Sequence, residues 1–261
     1  MVRRVFHTWA VLLVAAALPQ PGCSRDRALK LPARRADRDR DQARPIDPAR
    51  LGLDRAQTLR ALGMAHGRLV RAVGQHQVTC AATLETRVGE GRARKVEQKL
   101  TLRADGKGGL AAEKLTHPQR GSEVIATGGW LYLRSRHGKF HRRRPRYAGE
   151  VAGIARRMYG YLPAYVELLG RFVTVERAGA AKLAGRPCVR VKLGLADKPR
   201  PLAPDSAPAR RWRRTIAVTR LAGNALLDRD SGAPLKVKLD ARWTFNPPRS
   251  TRLPRGGIPG Q

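Results

Sequence analysis

The sequence predicts an α+β domain built on a long run of consecutive antiparallel strands, and three observations carry that expectation. Between residues 77 and 140, apolar residues recur at every second position in short runs broken by glycine-containing turns, which is the period of half-buried strands. Two other stretches, residues 54–74 and 150–170, carry apolar residues at helical spacing. Further alternating runs follow the second of these, so the chain returns to strand after a central helical insert.

In chain order, residues 1–22 come first and have the three-part plan of a secretory signal. Arg3 and Arg4 form a basic head, residues 8–18 are uncharged, and the small Gly22 precedes Cys23. The apolar stretch falls short of the about 20 residues of a permanent membrane helix, so a cleaved leader is expected. Gly22-Cys23 resembles the end of a bacterial lipobox, from which Gln20 and Pro21 depart. Processing there leaves Cys23 as an acylated first residue, held to a membrane by about 0.8 kcal/mol per buried methylene. The alternative is an ordinary secretory signal cut nearby. Ser24 after the cysteine implies, by resemblance to Gram-negative lipoproteins, the periplasmic face of the outer membrane; without acylation the chain is soluble periplasmic or secreted.

Residues 23–50 mix charges and prolines with almost no apolar pattern and read as a disordered charged tether. The domain is expected over 51–246 and a flexible Pro- and Arg-rich tail over 247–261. Asp54 can cap one helix carrying Leu59, Leu62, Leu69, Val70 and Val73 and ending near Gly74. Val78, Cys80, Ala82 and Leu84 then alternate up to a Gly89-Glu90-Gly91 turn. Residues 95–103 form the second strand, with Val96, Leu100 and Leu102 on one face and a hairpin at Asp105-Gly106. Residues 109–115, 123–127 and 130–133 continue this meander through Gly128-Gly129, and Gly138 turns it into Phe140. The run Arg142-Arg143-Arg144-Pro145-Arg146 breaks the pattern. The central insert carries Val151, Ile154, Ala155, Met158, Tyr159 and Leu162, with a split into two helices expected at Pro163. Strands are expected over 173–177, 187–195, 215–227 and 234–245. A Pro-rich basic loop lies between the second and third of these, either a lid or unstructured.

A formal charge of +33, from 53 basic and 20 acidic residues, attracts polyanions in a salt-sensitive way. Export argues against nucleic acid, as does the 5% content of the aromatics on which bases stack. Anionic lipid head groups and cell-wall polymers are left, beside the bland reading that Arg-rich composition reflects nucleotide bias. Arg142, Arg143, Arg144, Arg146, Arg211, Arg213 and Arg214 are the candidate anionic-surface contacts, at about 1 kcal/mol each near a charged membrane; otherwise they are solvated loops.

Cys80 and Cys188 form a possible disulfide in an oxidising compartment. Cys188 is out of phase with Val189, Val191 and Leu193, so the alternative is two buried small hydrophobes. No catalytic or metal signature is present. His66, His76, His117, His137 and His141 are scattered, and Ser122, Ser135, Ser206 and Ser231 lie in no nucleophile elbow. Asp228-Arg229-Asp230-Ser231-Gly232 looks like the opening of a calcium loop but lacks its closing carboxylate, and a solvated turn is expected. Neither an enzyme nor a cofactor is expected.

The order of elements resembles the outer-membrane lipoprotein carrier and receptor family and the related periplasmic stress-sensing regulators. Residues 102–106, 127–132, 183–191 and 230–235 (LRADG, TGGWLY, LAGRPCVRV and DSGAPL) carry the likeness, over residues 53–245. The resemblance implies a strongly curved antiparallel sheet, a half-barrel covered by the N-terminal helix and the central insert, enclosing an apolar cavity for acyl chains. Leu100, Leu102, Trp130, Tyr132, Phe140, Tyr161 and Leu168 are the candidate cavity residues, or else ordinary core. The long basic loop and the extreme charge depart from the carrier pattern, and a soluble carrier does not keep a lipid anchor.

Two readings of function follow. One is a non-enzymatic envelope lipoprotein that binds lipid or lipoprotein acyl chains. The other is a structural or interaction lipoprotein with a filled core, binding protein or anionic partners through its basic surface.

Overall fold

Alternation along each strand sets which residues the sheet buries, and glycine turns set where each strand ends. The computed structural model describes residues 8–16, 45–87, 93–117, 119–201 and 213–245. The expected α+β class is found, with strands paired antiparallel throughout. Strand β1 is Thr8–Ala16. This is the stretch whose composition suggests the apolar part of a leader, and here it is extended and paired on both sides. The expected turn at 89–91, Cys23, most of the tether, Arg211 and the tail lie outside the described residues.

The domain begins a few residues before the expected boundary. Ile46 is buried, and its Cγ2 lies so close to Gly232 that a Cβ there would meet it at 2.7 Å, at a backbone φ of +70°. A 3-10 turn, Pro48–Arg50, follows, its first turn closed by the Asp47 carboxylate accepting from the Ala49 N–H. The single helix expected next is two: α1, Arg55–Leu62, and α2, His66–Val73. Asp54 caps α1 by accepting from the N–H groups of Ala56 and Gln57. The break falls at Gly63, a poor helix former, after which Met64 turns into the core.

The meander runs β2 (His76–Thr86), β3 (Arg94–Ala104), β4 (Leu110–His117), β5 (Arg120–Thr127), β6 (Trp130–Ser135) and β7 (His141–Arg143). Its turns use the residues that the sequence indicates. Asp105 accepts from the N–H groups of Lys107 and Gly109, and Gly128-Gly129 both take positive φ, as a tight twisted hairpin requires. Helices α3 (Glu150–Tyr159) and α4 (Tyr161–Leu169) form the central insert. They part at Gly160 rather than at Pro163. Proline in the first turn of a helix lacks only an N–H that has no helical acceptor, so Pro163 sits inside α4 without breaking it.

The chain then returns through β8 (Val173–Leu183), β9 (Arg186–Leu195), β10 (Ala217–Asp228) and β11 (Pro234–Thr244). β8 runs on past Arg177 because Gly179, at φ +106°, absorbs a register shift. The sheet order is β7-β6-β5-β4-β3-β2-β1-β11-β10-β9-β8. It is thus two blocks of sequential strands, β2 to β7 and β8 to β11, joined in the sheet by β1. Helix α3 packs on β3 and β4, and α1 reaches the start of β8, where Arg55 donates to Val173 O at 2.5 Å and to Gly170 O.

The core draws on both blocks, including Leu100, Leu102, Leu131, Ile154, Tyr159, Val191, Leu227 and Val237. The suggested Cys80–Cys188 bridge is not formed. Both thiols are free and buried, on β2 and β9, with three strands between them in the sheet. Adjacent strands stand about 4.8 Å apart, so four such steps exceed the Cα separation that a disulfide tolerates. The alternative of two small buried residues applies.

Candidate functional site

On β6 the residues alternate between two faces. Leu131 points to the core with Ala126, Leu110 and Ala104 across β5, β4 and β3, whereas Trp130 and Tyr132 lie on the opposite face. Leu100 and Leu102 belong to the core face and are 2% and 0% exposed. The seven candidate cavity residues therefore do not line one space. Leu100 and Leu102 are core, and Trp130 and Tyr132 are on the other side of the sheet. Tyr161 and Leu168 are half-buried on α4, and Phe140 is 40% exposed beyond the end of β6. Strand phase, which changes face with every residue, is what separates them.

The outer face of β6 and β7 is where the structure gathers basic and aromatic groups. The guanidinium carbons of Arg142 and Arg144 lie over the Trp130 ring at 4.5 and 4.1 Å from its centroid, and that of Arg134 over Phe140 at 4.4 Å. Arg142 stands opposite Tyr132 in the β6–β7 pairing, which brings it to that face. Gly129 contributes at φ +74°, and a Cβ there would press on the Arg144 guanidinium at 3.1 Å. A stacked guanidinium keeps its N–H edge available to an anion while its flat face covers the ring, so the face combines positive charge with apolar anchors.

The other candidate arginines do different work. Arg143 makes a two-pronged ion pair with Glu150, at 2.9 and 2.6 Å, and the Arg146 N–H donates to the same carboxylate. Arg143, with a smaller backbone contribution from Arg146, holds the Glu150 carboxyl down at about 2. This latch fixes the basic turn to the start of α3. Arg213 pairs with Glu167 at 2.8 Å, while Arg146 and Arg214 are exposed. Of the predicted patch, Arg142 and Arg144 carry the strongest geometric case for contact with a partner.

The Asp228 segment is a turn, as expected, but a buried one. Asp228 is 0% exposed and accepts from Arg186 through both oxygens at 3.0 Å and from the Ser231 N–H and hydroxyl. Burial pushes its carboxyl up, and Arg186 with Ser231 outweighs that to leave it lowered. Its oxygens are thereby committed to the fold and not offered to a cation.

One cluster escaped the sequence reading. His66 on α2, His76 on β2 and Tyr159 on α3 meet in the core, with ring centroids 5.5 Å apart for the histidines and 5.6 Å for His66 and Tyr159. His76 Nδ1 reaches Gly74 O at 2.7 Å, but both Nε2 atoms and the Tyr159 hydroxyl are buried without a partner. Desolvation pushes His66 down to about 4, with His76 adding to the effect, and it lowers His76 as well. Burial likewise pushes Tyr159 and Cys80 up, the latter to about 11. The sequence signal is only that His66 lies one turn before Leu69 on the apolar side of α2 and that His76 shares the phase of Val78. Beside His76, a groove of about 300 Å³ runs along the turn ends of β2 to β5, lined by Ala104, Leu110, Ile125 and Ala126 with Gln77 and Arg103.

Among the described residues no group of three or more His, Cys, Asp or Glu side chains is placed to hold a metal ion, and no helix is long and apolar enough to cross a membrane. No protein-family model matches the chain, and no curated protein does.

Proposed function

We propose that this chain is a non-enzymatic envelope lipoprotein, anchored through Cys23, whose folded domain engages anionic partners through the basic aromatic face of β6 and β7. The observation that carries this reading is Trp130 held beneath Arg142 and Arg144 on the face away from the core. The sheet is taken to be a strongly curved half-barrel of the lipoprotein carrier and receptor type, with its helix-side face filled by the chain's own side chains. Packing of Leu100 and Leu102 into the core supports a filled face. A charged surface near an anionic membrane gains about 1 kcal/mol per basic residue, so the anchor and the patch act on the same surface.

The test is co-sedimentation of a chain expressed from Ser24 onward, which has neither leader nor anchor, with phosphatidylglycerol-containing and pure phosphatidylcholine vesicles. Binding to the first only, weakened by salt and about tenfold or more by Arg142→Ala with Arg144→Ala, is expected. Equal binding to both vesicles, or none to either, overturns the reading. A second reading, carriage of an acyl chain, is favoured by Ala104, Leu110, Ile125 and Ala126 in the lining of the groove beside His76. Native mass spectrometry of chain purified from its own envelope separates the two: a lipid increment removed by solvent extraction puts carriage in front.

A further inference from the structure

Strand parity places the groove beside His76 on the outer face of the sheet. Along its lining, His76, Ala104, Leu110 and Ala126 are buried on the core side, and the residues that alternate with them face outward. Of these, Gln77, Arg103, Ala111 and Ile125 stand directly opposite one another across β2, β3, β4 and β5. The same row continues through Tyr132 on β6 to Arg142 on β7, and in the next row toward the turns Thr127 stands opposite Trp130. The groove and the basic aromatic face of β6 and β7 are therefore parts of one strip that crosses the strands.

The strip is basic at both ends. At one end Arg103 is exposed, and its Nε donates to Gln77 Oε1 at 2.9 Å. Among the described residues no carboxylate pairs with it, so its terminal nitrogens are available to an anion. At the other end Arg142 and Arg144 lie over Trp130. Between the ends, the small Ala111 leaves a depression of about 300 Å³, and Ile125 and Ala111 alternate there with the hydroxyl groups of Thr127 and Tyr132. Acidic groups border the strip without entering it. The adjoining outward row sets Glu113 opposite Glu123, which accepts from Arg134 at 2.6 Å, and at the turn the Asp105 carboxylate is engaged by the N–H groups of Lys107 and Gly109. From Arg103 to Arg142 is four strand spacings, about 19 Å, and a contact at each end leaves on the order of 10 Å between the anionic groups of one ligand. A single phosphate cannot reach both ends.

From this we propose that the strip is a two-point site for a membrane amphiphile whose head group carries a phosphate at each end of a disaccharide. One phosphate meets Arg103, the other meets Arg142 and Arg144, and the sugars lie over Ala111, Ile125 and Tyr132. Hydroxyl groups beside small apolar side chains suit the edge and face of a sugar, and the charged ends fix its direction across the strands. The inference rests on the reading that the face of β6 and β7 meets an anionic membrane surface, and it adds which head group that face selects.

The experiment co-sediments the chain expressed from Ser24 onward with phosphatidylcholine vesicles that carry, at equal total negative charge, either phosphatidylglycerol or a diphosphorylated disaccharide lipid. The second should bind about fivefold more tightly, the worth of one further basic side chain at a charged surface. Ala111→Phe, which fills the groove without changing the charge, should remove that preference and leave binding to phosphatidylglycerol as it was. Arg103→Ala should weaken binding to the disaccharide lipid more than to phosphatidylglycerol. Equal binding of the two lipids, or variants that weaken both alike, overturns the inference. The deacylated disaccharide bisphosphate should compete at a concentration where inorganic phosphate does not; equal competition by the two makes this a simple phosphate site and overturns the two-point reading. Binding to neither kind of vesicle defeats the membrane-surface reading itself, a result distinct from binding both without preference.

Discussion

Acidifying the protein to about pH 5 should cost it measurable stability through two histidines. His66 and His76 are buried side by side against Tyr159, with their Nε2 atoms unpartnered, so the folded state disfavours their charged forms. Both are lowered in the fold, His66 from 6.5 to about 4. A proton that the unfolded chain accepts and the folded chain refuses pulls the equilibrium toward unfolding. The stability is therefore complete above 6.5 and is lost as the pH falls toward the folded value. At about 1.4 kcal/mol per unit the His66 displacement amounts to about 3 kcal/mol, of which about 2 is lost by about pH 5. Solvent screening reduces this to about 1–2 kcal/mol, a drop in Tm of about 3–6 °C for a domain of this size.

Neighbouring groups do not share the window. Tyr159 and Cys80 are pushed up and stay neutral, and Glu150 is held at about 2. The assay is urea unfolding followed by circular dichroism at about pH 7.5 and about pH 5. It is run on the unsubstituted chain and on His66→Phe, which keeps a ring against Tyr159 and cannot titrate. The variant should show the smaller pH dependence whatever its absolute stability. Parallel curves for the two proteins, or greater stability of the unsubstituted chain at the lower pH, would refute the reasoning.

Asp228→Asn should destabilise by about 3 kcal/mol or more in the same unfolding assay, because it leaves the Arg186 guanidinium facing a neutral, buried partner; a loss under about 1 kcal/mol would mean that Ser231 and solvent satisfy the site. In the Cys23→Ser chain, a thiol reagent should label neither Cys80 nor Cys188 in the native state and both in urea, without prior reduction. Labelling in urea only after a reductant would show that the two are bonded.

Most strands were legible because alternation and turn chemistry are local. Asp105 with Gly109, or Gly128 with Gly129, announces a hairpin without reference to anything distant. What depended on distant partners was not legible. Nothing near Gly63 shows that Met64 will be drawn into the core, and nothing near residue 177 shows that Gly179 will carry β8 onward. The predicted cavity residues are large apolar side chains from segments whose relative phase only the pairing sets. Leu102 aligns through Ala112 and Val124 with Leu133, so Trp130 and Tyr132 had to fall on the other face. The histidine pair was hidden for the same reason, since a helix residue and a strand residue ten positions apart meet only once α2 lies against β2.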